Sequence, residues 1–208
     1  MKGLNCKLLV LFIFLLTSSV AKGQFYYSPN FSVGFKGGAT VSQRTFSPDV
    51  PQSYIVGSMF GVSARYIEES LFGLVAELNF EQRGWKENFD GEPYSYERRL
   101  SYIQIPVFTH IYFGNDRIKG FFNLGPEIGF LIGDSYKSSF DIYTIDSDPD
   151  FPSLEHSTEQ YTEPLTGKVD YGISLGGGME VFMSKRNSLQ LEGRFYYGLG
   201  NIFGNSKS

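Results

Sequence analysis

The chain is poor in the residues that build reactive chemistry. It has one cysteine, Cys6, which excludes an internal disulfide, and two histidines, too few for a histidine-built metal centre. It has no excess of positive charge: 18 Lys and Arg against 22 Asp and Glu give −4 at pH 7, so nothing draws nucleic acid electrostatically. Charged residues are only 19% while aromatics reach 17%, a balance that excludes disorder. Beyond the first two dozen residues no apolar run approaches 18, which leaves no helical membrane span. What the chain does have is 24 glycines and 35 Phe, Tyr and Trp in 208 residues, poor material for a helical bundle.

Residues 1–23 read as a secretory signal peptide. Lys2 and Lys7 precede a 13-residue apolar run over 8–20, and Ala21-Lys22-Gly23 puts small residues at −3 and −1 of a cut before Gln24. Thirteen residues are short for the ~20 of a membrane anchor. Cys6 precedes the apolar run, so it cannot be a lipoprotein cysteine. Cleavage removes it together with Lys2, Lys7 and Lys22, taking the net charge from −4 to −7 and leaving 24–208 as one exported domain.

That domain shows period-two alternation seven times. Phe31, Val33 and Phe35 alternate with Ser32, Gly34 and Lys36; Phe60, Val62 and Ala64 alternate with Gly61, Ser63 and Arg65. Leu74, Ala76, Leu78 and Phe80 stand opposite Glu77, Glu81 and Arg83; Ile103, Ile105, Val107 and Ile111 stand opposite Tyr102, Gln104, Phe108 and His110. The last three runs carry Lys119 and Glu127, then Asp170 and Glu180, then Glu192 and Arg194, again opposite apolar residues. Side chains at i and i+2 share a face, so each run is a two-faced strand. The apolar face has no charge in any of the seven. The other collects Glu77, Glu81, Glu127, Asp170, Glu180 and Glu192 against Lys36, Arg65, Arg83, Lys119 and Arg194.

A soluble barrel would hide the apolar face, and a membrane barrel would show it to lipid. Two features favour the membrane. The charged face is crowded with glycine, as a tight lumen requires. Connection lengths also alternate: long links at about 42–55, 84–97 and 133–167, short turns at 67–70, 114–116 and 184–187. Long external loops and short periplasmic turns characterise outer-membrane barrels. The expectation is an all-β, antiparallel up-and-down transmembrane barrel of the eight-strand type. Pro106 and Pro126 each remove a ladder donor, so bulges are expected there.

Ser32-Val33-Gly34-Phe35-Lys36-Gly37-Gly38 resembles the opening strand of the PorT-type outer membrane β-barrel family. Tyr102-Ile103-Gln104-Ile105-Pro106-Val107 resembles its fourth-strand motif, with Gln104 where the family usually has Glu. Gly125-Pro126-Glu127-Ile128-Gly129, Asp170-Tyr171-Gly172 and the stretch from Leu189 to Ile202 are similar to its later strands, so the resemblance covers 31–202. It implies a barrel in the outer membrane and an accessory part in protein secretion. Family members continue into a further, aromatic-ended strand, whereas seven strands leave two unpaired edges. Closure is expected from a strand beyond Ser208, with residues 24–30 or another chain as alternatives.

Eleven charges that nearly balance suggest a salt-bridged plug rather than an ion path. Asp146, Asp148 and Asp150 are weak metal candidates: an EF-hand from Asp146 would need Gly and Glu where Phe151 and Ser157 stand. The surrounding loop has eight acids against Lys137 alone between Asp134 and Thr166, and its Tyr136, Phe140, Tyr143, Phe151 and Tyr161 offer contact to a protein or glycan partner. Trp85, Tyr94 and Tyr96 read as an interfacial girdle. His110 and the His156-Ser157 pair do not make a catalytic set by sequence adjacency, so no catalytic residue and no cofactor are assigned. The reading is a structural or interaction protein in outer-membrane lipid. A soluble periplasmic barrel with a hydrophobic ligand (lipocalin-like) is the alternative, and a barrel hydrolase or acyltransferase comes third.

Overall fold

The computed structural model describes residues 30–43, 52–67, 71–89, 93–145, 151, 161, 167–184 and 186–200. The signal segment 1–23 and the three candidate metal ligands Asp146, Asp148 and Asp150 lie outside them. The strands are β1 (Asn30–Ser42), β2 (Gln52–Ser53), β3 (Ile55–Ile67), β4 (Phe72–Glu87), β5 (Tyr96–Gly114), β6 (Ile118–Ser138), β7 (Val169–Phe182) and β8 (Ser188–Gly198). Seven of them form one antiparallel up-and-down sheet in the order β1-β3-β4-β5-β6-β7-β8, with the two-residue β2 paired to β4. The seven expected runs are the seven long strands. Two long links are shorter than the sequence suggested, because β4 runs on to Glu87 before β5 starts at Tyr96, and β6 runs on to Ser138.

The sheet curls. Arg65 on β3 reaches Glu180 on β7, and Arg194 on β8 reaches Glu77 on β4, contacts that a flat sheet of these strands could not make. The charged face is therefore concave and the apolar face convex. Leu74, Ile105, Leu124, Phe130 and Ile173 are all exposed on the outside, while Glu77, Glu127, Asp170 and Glu180 are buried inside. That inverts a soluble barrel, whose apolar residues would fill the interior, and the lipocalin-like alternative fails on this point.

Neither proline produces a bulge. Pro106 pairs with Glu127 on β6, while the β4–β5 ladder skips from Ala76–Val107 to Asn79–Gln104 without changing register. Pro126 pairs with Ile173 on β7, while the β5–β6 ladder skips Val107 and Phe108. Each proline thus interrupts pairing with one neighbour only, as the loss of a single donor on one side requires. The register shift falls instead where Ser101 opposes Gly133 and Tyr102 opposes Leu131, leaving Ile132 as the extra residue. A one-residue insertion exchanges the faces. Beyond it Asp134 opposes Leu100 and Tyr136 opposes Arg98, so Asp134 joins the inner face.

Two glycines show why the inner face needs them. A Cβ on Gly61 would run into the Leu78 carbonyl and the Asn79 side chain, and one on Gly176 would run into the Glu192 carboxylate.

Candidate functional site

The lumen is lined by side chains of the inward register positions of all seven long strands, which surround a cavity of about 1670 Å³. At its centre the Glu77 carboxylate accepts from Lys36 Nζ at 2.8 Å, from Arg194 Nη1 and Nη2 at 2.8 and 3.0 Å, and from Asn79 Nδ2 at 2.8 Å. Arg194 also donates to Glu192 at 2.8 Å and lies 4.4 Å above the Phe108 ring. Toward the short turns, Arg65 makes a two-pronged bridge to Glu180, both contacts 2.8 Å, and the Ser188 hydroxyl donates to the same carboxylate at 2.6 Å. Toward the long loops, Arg83 donates to Glu81 at 2.7 Å and Glu127 at 2.6 Å, stands 3.6 Å from Asp170, and covers the Tyr196 ring at 3.9 Å. Ser174 donates to Glu127 at 2.6 Å.

Ten of the eleven expected lumen charges meet in these ion pairs. Lys119 differs: its ammonium sits 4.7 Å from the Tyr112 ring centroid and 5.2 Å from that of Phe182, a cation–π site at the short-turn end. Buried pairs of this kind hold their charges because each removed partner would leave an uncompensated ion in a low-dielectric interior.

The long-loop end carries a second packed region. Trp85, Phe89, Tyr96, Leu100, Tyr102, Ile142, Ile145, Phe151 and Tyr161 form one buried cluster, with Tyr94, Leu131 and Phe140 packed against it. Tyr161 donates to the buried Glu87 at 2.5 Å, and Arg98 bridges Asp134 at 2.9 and 2.6 Å. Tyr96 stands well above Ile103, the lipid-facing apolar residue nearest this end of β5, and burial pushes its phenol up to about 12. Loop residues thus lie over the barrel mouth as a small aromatic core.

An inward charge network, an outward apolar wall and alternating connection lengths together describe a membrane-spanning β-sheet. A family model described as an outer membrane protein beta-barrel domain matches residues 23–204. The chain belongs to that family. Membership in this outer-membrane barrel family points to the outer membrane as its location. No curated protein and no solved structure matches the chain.

Ten of the eleven charges that the sequence reading assigned to the lumen lie in the inward ion pairs, and Lys119 lies against the Tyr112 and Phe182 rings. The same reading set Asn79, Asn123, Ser174 and Tyr196 on that face by parity without naming them in the network, and it did not place Ser188. The expected girdle is a correction: Trp85 and Tyr96 are fully buried in the mouth cluster, because β4 and β5 extend inward-facing positions above the membrane. Of the loop aromatics expected to meet a partner, Phe140, Phe151 and Tyr161 pack in that cluster, while Tyr136 and Tyr143 are exposed. His110 pairs through Nδ1 with Asn123 Oδ1 at 2.7 Å and packs on Tyr112 and Phe121. Among the described residues no group of three His, Cys, Asp or Glu forms a metal-binding set.

Proposed function

We propose that this protein is a plugged outer-membrane barrel that works as a structural or interaction protein through its long-loop surface, without catalysis and without a conducting pore. The observation that carries the reading is the grip on Glu77. One carboxylate holds Lys36 of β1 and Arg194 of β8 at 2.8 Å, so the middle of the lumen is tied from three strands at once. With Arg65–Glu180 below it and Arg83–Glu127 above it, ions meet paired charges at three successive levels. The aromatic cluster at the mouth supplies a shaped external surface, and exposed Tyr136 and Tyr143 are its contact residues for a protein or glycan. An accessory part in secretion, which the PorT-type resemblance implies, would use that same surface.

Planar-bilayer recording tests the plug. The purified chain is expected to give no steady conductance, and Glu77→Ala is expected to raise brief openings by freeing Lys36 and Arg194. Stable, ohmic steps from the unaltered chain would overturn the plug and favour an ion path.

A further inference from the structure

The outward face of the sheet is uncharged except at one place. Lys86 of β4, Glu97 and Arg99 of β5 and Lys137 of β6 are the only charged residues that the described strands turn outward. All four lie beyond the apolar row of Phe80, Ile103 and Phe130, on the side of the long loops. The ladder brings them together: Glu97 stands opposite Lys86 on one side and Lys137 on the other, with Arg99 two residues nearer the membrane on the same face. Lys137 owes its direction to the extra residue Ile132, which reverses the parity of β6 beyond it. Three cations surround one carboxylate, a surplus of two on a chain whose overall charge is −4.

The height of this patch follows from strand geometry. At the usual rise and tilt, the outward row of β5 from Phe113 to Ile103 covers about 26 Å of membrane thickness, against about 25 Å for the apolar band of such barrels. Arg99 then stands about 10 Å above Ile103, at the level of lipid headgroups and not of acyl chains. The positions around it are small or neutral. Gln82, Ser101 and Gly133 form one row, and Gly84 and Ser135 flank Arg99 in the next. Arg99 donates to Glu97 at 2.6 Å and, passing over Gly84, to the Val56 carbonyl of β3 at 3.2 Å, while its side chain stays 38% exposed. Lys86 and Lys137 are exposed, and among the described residues no ion pair holds either. The result is a shallow step with apolar residues below and cations above.

We propose that this step binds the phosphate of a lipid in the leaflet at the long-loop end, a phosphomonoester headgroup seated among Lys86, Arg99 and Lys137 with its acyl chains running down past Ile103 and Phe130. Charge sets the class. A phosphomonoester carries about −1.5 to −2 at pH 7, which matches the surplus of two, whereas a zwitterionic headgroup has no net charge to offer. Arg99 adds the planar donor fork that suits phosphate oxygens. Short side chains at Ser101, Gly133, Gly84 and Ser135 let the headgroup approach the sheet. The site rests on the outward wall meeting lipid and not on the plug, so a conducting lumen would leave it standing.

Electron spin resonance of labelled lipids tests it, with the full-length chain reconstituted in phosphatidylcholine vesicles. Phosphatidic acid and phosphatidylcholine, each spin-labelled near the end of an acyl chain, are the two probes, and the motionally restricted fraction reports what the protein holds. Phosphatidic acid is expected to be held several-fold more strongly, and inorganic phosphate at matched ionic strength is expected to leave that preference intact. Lys86→Gln, Arg99→Gln and Lys137→Gln together are expected to remove most of it. Arg117→Gln with Arg186→Gln, at the short turns, is expected to keep it. Glu97→Gln raises the surplus to three and is expected to strengthen the preference, a gain that a misfolded variant would not give. Displacement by inorganic phosphate would assign the site to the free ion and overturn the proposal. So would an unchanged preference in the triple variant, an equal loss in the short-turn variant, or a weaker preference in Glu97→Gln. Equal retention of the two lipids by the unaltered chain would overturn the headgroup site alone. Absence of any restricted lipid would overturn the lipid-facing wall with it.

Discussion

Arg65 and Glu180 face each other across the barrel interior, each guanidinium nitrogen 2.8 Å from its own carboxylate oxygen, although three strands separate β3 from β7 in the sheet. Both side chains are largely buried, so the pair behaves as an interior ion pair. Removing one partner strands the other: Glu180→Gln is expected to destabilise the barrel by about 3–5 kcal/mol. The double change Arg65→Met with Glu180→Leu is expected to cost clearly less than the two single losses added. Urea unfolding in detergent, followed by Trp85 fluorescence, measures both.

The outer wall makes a sharper demand on sign and position. Leu124 lies near the middle of the outward row of β6 that runs from Ile118 to Ile132, and is exposed where lipid would be. Leu124→Arg is expected to reduce folding stability in phosphatidylcholine vesicles by about 2–4 kcal/mol. Ser101→Arg, on an outward position above Ile103, is expected to cost no more than about 1 kcal/mol. Equal costs at the two positions would remove the lipid assignment.

Two glycines on opposite faces differ in what a side chain would meet. Gly61 points inward, where a Cβ collides with the Leu78 carbonyl, while a Cβ on outward Gly193 meets nothing within 4 Å. Gly61→Val is expected to abolish the compact, heat-sensitive band on gels, and Gly193→Val to leave it.

The sheet was legible because period two sorts residues onto faces independently of what lies around them. Lys36, Glu77 and Arg194 could be placed on one face from that rule, and inward once the glycine content and link lengths were added, though not matched to one another, since partners across a lumen depend on how the sheet curls. Asp134 was not legible: the extra residue Ile132 reverses parity in front of it, and nothing in the local sequence announces a bulge there. Pro106 and Pro126 did announce an irregularity, but each meets its lost donor by a break in one ladder, without a shift. Trp85 and Tyr96 were assigned to the membrane boundary on residue type, whereas their inward parity carried them into the mouth cluster.

That cluster has its own pH signature, reported by the single tryptophan. Tyr96 is buried and its phenol is raised to about 12 from the ordinary 10. A raised phenol favours the protonated folded state fully below pH 10, and the contribution disappears as pH climbs from 10 to 12. Trp85 emission is expected to stay blue-shifted to pH 10 and to move red between 10 and 12. In Tyr96→Phe, which cannot ionise, that transition is expected to be lost.

The central claim is that the charged face looks inward and the apolar face meets lipid. Spin labels placed one at a time at Ile128, Gly129 and Phe130 of β6 in reconstituted vesicles test it most directly, in chain carrying Cys6→Ser. Ile128 and Phe130 are expected to collide with oxygen dissolved in the bilayer and not with an aqueous nickel complex, while Gly129 between them is shielded from oxygen. Lipid contact at Gly129 with protection at its two neighbours would mean that the wall is turned the other way.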